Sequence, residues 1–455
     1  MLHRSRRYWL AGMATALLTV LGATGVQAAA PEGLKKIDHI LVVYLENRSF
    51  DNLYGLFPGA NGLSQADGAA LQVDKDGKPY ATLPAVMNTN KNPAVVDDRF
   101  PSDLPNKPFD LAKYVTLDQM TGDMVHRFYQ EQVQIDGGKM DKFAAYSDAA
   151  GLVMGYYDAS QTELWAYAQK YTLADNFFHA AFGGSFLNHI YFVCACAPKY
   201  PNAPDALKAQ VGSDGMMTKD GALTPDGYAV NTIQSSFQPH SAKITDATKL
   251  LPPQDMPTIG DRLSEKGISW AWYSGGWNDA LAGKPDPLFQ FHHQPFIYFK
   301  QFGDGTDAKK QHLKDEADMI AAIGDGSLPA VSFWKPIGEE NEHPGYANVS
   351  SGDHKVASVL QKIEQSPLWA STAVIITYDE NGGAWDHVAP PKIDSWGPGT
   401  RVPAIIVSPF AKKGFVDHTQ YDTTSILRFI ELRYDLAPLG TRDASTNDMT
   451  NAFSF

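Results

Sequence analysis

A chain of 455 residues with a formal net charge of −13 has room for one large domain or two ordinary ones. Its 44% hydrophobic and 20% charged residues are those of a globular protein. Without the three arginines of residues 1–28 the charge becomes −16, which argues against nucleic acid and against electrostatic capture by anionic lipid. Small phosphorylated substrates stay open, because a metal and local histidines can reverse the sign inside a pocket.

Residues 1–28 predict an export signal. Arg4, Arg6 and Arg7 form a basic start, Leu10 to Val26 is apolar but rich in Ala, Gly and Thr, and Val26-Gln27-Ala28 supplies the A-x-A-like cleavage positions. Ser5-Arg6-Arg7-Tyr8-Trp9-Leu10 resembles a twin-arginine signal, with Trp where Phe is usual; an ordinary Sec signal is the alternative. The stretch is short for an anchor, and no other apolar run reaches 18 residues. The expected location is therefore periplasmic or secreted, with no integral membrane segment after signal removal, and residues 29–455 are expected to form one catalytic domain.

Five short apolar runs follow, each ending in a polar or glycine-rich turn: Ile37–Leu45, Ile268–Tyr273, Ala330–Trp334, Ala373–Tyr378 and Val402–Val407. They are continuous rather than alternating, which suits strands buried on both faces. Helical patterns fall at Thr162–Tyr171, Gln311–Ile323, His354–Gln365 and Thr423–Tyr434, the last with a cap at Asp422. The alternation predicts an α/β three-layer sandwich with a mainly parallel central sheet. Two stretches break the rhythm. Residues 64–110 are polar, and residues 198–257 carry Asp220-Gly221 and Asp226-Gly227 beside a strand-like Tyr228–Ile233; both read as insertions over a site. Cys194 and Cys196 stand two apart on a segment that reads as helix, where a bridge is poorly placed, so two buried thiols are expected.

Three segments concentrate chemistry. Glu46-Asn47 offers two hard oxygens at the end of the first strand, although a capped helix starting at Asn47 or Ser49 is a competing reading. Ser185 follows Gly183-Gly184 and opens an apolar helix, so it reads either as an N-cap or as a nucleophile beside free N–H groups that favour phosphate. Asn188 and His189, three and four residues on, share its helical face and are candidates for substrate binding. Asp379-Glu380 ends a fourth strand, and Asp386-His387 follows it as a secondary acid–imidazole pair. His292-His293, in an aromatic loop, and His343, in Asn341-Glu342-His343-Pro344, stand beside strand ends; His126 is a weaker candidate. The segment around Ser185 is not the G-x-S-x-G elbow, which disfavours an α/β-hydrolase triad.

These segments resemble the bacterial phosphoesterase family that holds certain acid phosphatases and the nonspecific phospholipases C. The resemblance rests on HILVVYLENRSFDNLYGLFPGANGL, DGGKMDKF, GGSFLNH, NEHPGYAN, ITYDENGGAWDHV and VPAIIVSPF. It implies the fold of the alkaline phosphatase superfamily, a metal held by Glu46, Asn47, Asp379 and Glu380 beside the nucleophile Ser185, and surrounding histidines at His126, His292, His293 and His343. The phospholipase C branch resembles T-x-P-N-R around its nucleophile, so Ser185-Phe186-Leu187-Asn188-His189 points to the acid phosphatase branch. No second full set of Asp/His ligands is evident for a second metal. The expectation is an exported phosphomonoesterase that acts on a phosphorylated small molecule through a phosphoserine. One divalent ion assists, with Mg²⁺, Ca²⁺, Mn²⁺ or Zn²⁺ all possible. One histidine protonates the leaving oxygen, and protonated histidines give an acidic optimum below about pH 6.5. The alternatives are a phospholipase C or other phosphodiesterase on the same scaffold, and an exported protein that binds a phosphate ligand without turnover.

Overall fold

The computed structural model describes residues 31–66, 71–213 and 216–455; the predicted export signal at residues 1–28 lies outside them. Eight strands build the central sheet: β1 (His39–Leu45), β2 (Thr172–Ala174), β3 (Trp270–Ser274), β4 (Leu313–Asp315), β5 (Val331–Lys335), β6 (Thr372–Tyr378), β7 (Ala404–Val407) and β8 (Phe415–Asp417). Their order is β4-β3-β5-β1-β6-β7-β2-β8. Only β7 runs against its neighbours, so the sheet is mainly parallel. The continuous apolar runs follow from this position: β1 and β6 are covered on both faces, and Ile40 to Leu45 and Thr372 to Tyr378 are all buried.

The helices that frame the sheet and the site include α1 (Phe50–Tyr54), α2 (Phe128–Ile135), α3 (Glu163–Lys170), α4 (Ser185–Cys194), α5 (Ile259–Glu265), α6 (Glu316–Asp325), α7 (Val349–Gln365) and α8 (Thr423–Tyr434). They flank the sheet in two groups, with α3 and α6 packing on α7, and α5 and α8 packing on α4. α8 matches its expected bounds because its start signal is local: Asp422 accepts from the Thr424 amide at 2.7 Å and exchanges a capping box with Ser425.

Several boundaries differ from the sequence reading. The expected helix over 311–323 is split by β4, because Asp315 is extended and caps a fresh helix by accepting from the Ala317 amide. The last apolar run begins its ladder only at Ala404, since Pro403 has no N–H to donate. Tyr228–Ile233 forms no strand; Tyr228 and Ala229 make only isolated bridges. Cys194 and Cys196 are disulfide-bonded, not free thiols. The helix ends at Cys194 and Ala195 turns left-handed at φ 49°, which brings the two Cα atoms to 5.2 Å, inside the bridging range.

Register places the chemistry. Leu45 of β1 pairs with Tyr378 of β6, and Val43 pairs with Trp334 of β5. Glu46, Asp379 and Lys335 therefore leave three adjacent parallel strands side by side at their carboxyl ends, where such sheets expose ligands.

Candidate active site

The turns after β1 and β6 interlock. Asn47 sits at φ 61°, and a Cβ at Gly382 (φ 61°) would lie 2.5 Å from the Asn47 carbonyl, so only glycine lets the two turns close. The competing N-cap reading resolves to Ser49, whose oxygen accepts from the Asn52 amide at 3.2 Å and starts α1. Asn47 is thereby left free for the site.

Each carboxylate of the β6 turn has one oxygen fixed by backbone and one left over. Asp379 Oδ1 accepts from the amides of Asn47 (3.1 Å) and Glu380 (2.8 Å), and Glu380 Oε2 accepts from the Gly382 amide at 2.5 Å. Asp379 Oδ2 and Glu380 Oε1 are buried with no hydrogen-bond donor. Asn47 is oriented to match. Its Nδ2 lies 3.0 Å from His343 Nε2 and 3.4 Å from His126 Nε2. Both rings turn Nδ1 to a carbonyl, of Pro344 and of Met124, at 2.5 Å. In the tautomer this network assigns, each Nε2 accepts from Asn47, whose Oδ1 is left buried without a partner.

Ser185 is the first residue of α4, after the extended N-cap Gly184, and its hydroxyl donates to Glu46 Oε2 at 3.2 Å. The preceding turn is built from outside. Gly183 (φ 85°) has no room for a Cβ, which would meet the Phe128 amide nitrogen at 2.4 Å. Glu131 of α2 accepts from the amides of Gly183 (2.5 Å) and Thr400 (3.0 Å) and meets His179 Nε2 at 2.9 Å. Asn188, expected to bind substrate, instead ties this turn together. Its Oδ1 accepts from the Ala181 amide at 2.9 Å, and its Nδ2 donates to the carbonyls of Ala181, Gly183 and Gly184 at 3.0, 3.2 and 3.2 Å. His189, the other substrate candidate, donates Nδ1–H to the Ser185 carbonyl at 2.7 Å and lies under the carboxylates. Neither lines the pocket.

That pocket has a volume of about 270 Å³ and opens over Ser185, Glu46, His126, His292, His293 and His343, with Arg127 and Tyr346 on its wall. The structure thus brings together the expected nucleophile, the expected oxygen ligands and all four expected histidines. Tyr346 stacks on His343 at 4.2 Å between ring centroids. Burial pushes His189 and His292 well below the ordinary histidine range and His343 below it, and takes His293 down to about 4. Histidine protonation, which the expected acidic optimum places below about pH 6.5, is therefore displaced to lower pH.

The carboxylates diverge. Burial alone would raise Glu46, but His293 and Lys335 overcome it and hold the group well below its usual range. Asp379 and Glu380 are pushed well above theirs, Asp379 by burial and the Glu46 charge, Glu380 by burial and the Asp379 charge. Unpaired, buried, mutually repelling oxygens from Asp379, Glu380 and Asn47, beside Glu46 and the Ser185 hydroxyl, form a donor set that fits a hard divalent cation. Among the described residues four groups have ligand atoms within 4.8 Å of one another: Glu46 with His189 and His293, and Asp123 with His126 and His343, both at this site, and Asp51 with Asp386 and His387, and Glu163 with Asp353 and His354, both away from it.

Asp386 and His387 do not join this cluster. Asp386 receives Arg401 Nε at 2.8 Å and Nη2 at 3.1 Å, and His387 Nδ1 meets Asp51 Oδ2 at 2.6 Å, in a separate buried ion network. Sequence reasoning missed Lys335, a buried lysine whose Nζ is ion-paired with Glu46 Oε1 and donates to the Leu45 carbonyl at 3.2 Å. A cation closing a fully apolar strand was the available signal. Glu131 gave none, since its partners lie 48 to 269 residues away.

The Phosphoesterase family model matches residues 37–437. Phospholipase C B of Mycobacterium tuberculosis is 25% identical over 475 aligned residues, covering 93% of this chain and 79% of that protein. Non-hemolytic phospholipase C of Pseudomonas aeruginosa is 24% identical across 100% of this chain, which spans 64% of that relative's length. A solved protein of the alkaline phosphatase superfamily from Vibrio parahaemolyticus overlaps 65% of this chain and 66% of its own at a TM-score of 0.35 and 12% identity, too distant to bear on mechanism. The chain belongs to the Phosphoesterase family and is a hydrolase acting on phosphoric ester bonds.

Proposed function

We propose that this hydrolase is an exported, metal-dependent phosphomonoesterase in which Ser185 is the nucleophile. One observation carries the reading: the Ser185 hydroxyl, at the N-terminus of a ten-residue helix on the pocket floor, donates to a buried carboxylate beside three partnerless oxygens. A divalent cation held by Glu46, Asn47, Asp379, Glu380 and Ser185 supplies, when bound, Lewis-acid neutralisation of the phosphoryl oxygens and a lowered hydroxyl pKa.

The remaining work falls to the chain. Glu46 Oε2 accepts the Ser185 proton at 3.2 Å as the Ser185 Oγ–P bond forms. Free N–H groups at the start of α4 face the phosphoryl oxygens. The bond from phosphorus to the leaving oxygen breaks, and that oxygen takes a proton from an imidazole. His292 suits this step, because it lines the pocket with no hydrogen bond to another described residue, whereas His126 and His343 are engaged by Asn47 and His293 by Glu46. The neutral imidazole then takes a proton from water as the water oxygen attacks phosphorus; the Ser185 Oγ–P bond breaks, and Oγ takes back the proton held on Glu46 Oε2. Since burial holds His292 below its ordinary value, its acid form is available only at low pH, in keeping with an acid phosphatase.

The names of the relatives favour a second reading, a phospholipase C cleaving the phosphodiester of a lipid headgroup. Initial rates with p-nitrophenyl phosphate and p-nitrophenyl phosphorylcholine, with metal content measured on the same sample, separate the two. The monoester should be turned over at least tenfold faster, with phosphoserine trapped at Ser185 by acid quench. A preference for the diester selects the second reading, and no turnover of either by metal-loaded protein leaves a phosphate-binding protein. Export rests on residues 1–28 and is checked by fractionating cells for the processed chain.

A further inference from the structure

Lys335 closes β5 and is 1% exposed. Its Nζ is ion-paired with Glu46 Oε1, donates to the Leu45 carbonyl at 3.2 Å and lies 5.2 Å from the centre of the Tyr44 ring. Two imidazoles face the same Glu46 oxygen, His293 Nε2 at 3.1 Å and His189 Nε2 at 4.0 Å. His189 commits its Nδ1–H to the Ser185 carbonyl, so Nε2 carries a lone pair. That atom is fully buried and has no hydrogen-bond partner. A carboxylate and two imidazole nitrogens at this spacing are the donor types of a zinc site, and here the shared carboxylate already carries an ammonium.

We propose that Lys335 stands, as a fixed single charge, in the place a second divalent cation would take among Glu46, His189 and His293, so that the chain works with one metal. The inference rests on the metal reading of the Glu46–Asp379–Glu380 cluster. An ammonium repels a dication in a low-dielectric interior, and its Glu46 contact uses the ligand atom such an ion would need. The substitution has a chemical consequence. An ammonium holds charge but does not make a nucleophile of water, which leaves water activation in the second displacement to an imidazole.

The test counts metal ions. Metal-depleted full-length protein is titrated with Zn²⁺ by calorimetry, with elemental analysis of the dialysed product. Wild type should take one equivalent, and Lys335→Met, which keeps the unbranched side chain to within one atom of its length but loses the charge, should take two. Adding His189→Ala to Lys335→Met should remove the second equivalent, and Lys335→Arg should stay at one. The proposal is overturned if folded Lys335→Met binds the same number of ions as wild type. It is equally overturned if wild type binds two and His189→Ala removes one. Should wild type bind none, the metal reading fails alone: zero rising to one in Lys335→Met would still support the role of Lys335. If Lys335→Met is unfolded without metal, circular dichroism reads the outcome. Refolding on zinc addition, abolished by His189→Ala, supports the proposal, and failure to refold in both Lys335→Met and Lys335→Gln counts against it.

Discussion

Two buried clusters grow from the same pair of turns and come out opposite. In one, Asp51 and Asp386 close around Arg401, whose guanidinium donates to both carboxylates and to the carbonyls of Asn61 and Asp175. Asp386 also accepts from the amides of Asp51 and Val388, and Asp51 from the amide of His387. A few residues away along each turn, Lys335 pairs with Glu46 alone, and Asp379 and Glu380 each keep an oxygen with no donor. Both regions show the same mix of acids, amides and imidazoles in sequence. What separates structure from chemistry is whether the protein closes its own hydrogen bonds, since an unsatisfied buried charge persists only where something else is meant to meet it.

The largest expected effect sharpens that contrast at Ser185. Ser185→Ala should fold with an unchanged melting temperature, yet lose turnover by on the order of 10⁴- to 10⁶-fold, the scale seen when a covalent nucleophile is removed. Retention of more than about a tenth of wild-type kcat would take Ser185 out of the mechanism. The next effect lies on the other side. Arg401→Met strands two buried carboxylates and should cost about 3–5 kcal/mol of unfolding free energy in urea, while the folded protein keeps the wild-type metal content. Asp379→Asn should behave inversely: metal and activity are lost, but the metal-free protein melts higher than metal-free wild type, because the cost of burying an acid beside Glu46 is gone. If Asp379→Asn and Asp386→Asn shifted the melting temperature alike, the contrast between open and closed clusters would collapse.

Strands β1 and β6 were legible because their burial on both faces writes itself as unbroken Ile, Leu and Val, and α8 because Asp422 and Ser425 cap it within four residues. The convergence of Glu46, Ser185 and Asp379 was legible too, each standing at a strand end or a glycine turn. What stayed hidden depends on contacts distant in sequence. Asp386-His387 looked like a ligand pair because nothing near it announces Arg401. Asn188 shared a helical face with Ser185, yet helical spacing does not reveal that the turn of residues 181–184 folds back onto its amide. The Cys194–Cys196 bridge depends on where α4 stops, and one left-handed alanine decides that.

The smallest expected effect asks whether a proton can stand where a metal or an arginine stands elsewhere. Glu431, on α8, is fully buried and neither of its oxygens has a hydrogen-bond partner; Arg428 Nη1 lies 3.6 Å from Oε2. Burial, reinforced by Asp443, raises its carboxyl to about 9. A group whose folded pKa is raised contributes stability fully below its unfolded value near 4.5 and loses it as pH climbs towards 9. Across that window wild type should lose at most about 1.4 kcal/mol per pH unit from this residue. Glu431→Gln keeps the shape without the titration, so urea midpoints at pH 5 and pH 8 should lie closer together in the variant, with its advantage over wild type growing towards pH 8. Asp379 and Glu380, also raised, add the same slope to metal-free wild type and must be silenced by saturating metal before the comparison is made. An identical pH dependence in both metal-loaded proteins would mean that Glu431 is ionised in the fold, held by Arg428 as Asp386 is held by Arg401, and the third kind of buried carboxylate would not exist.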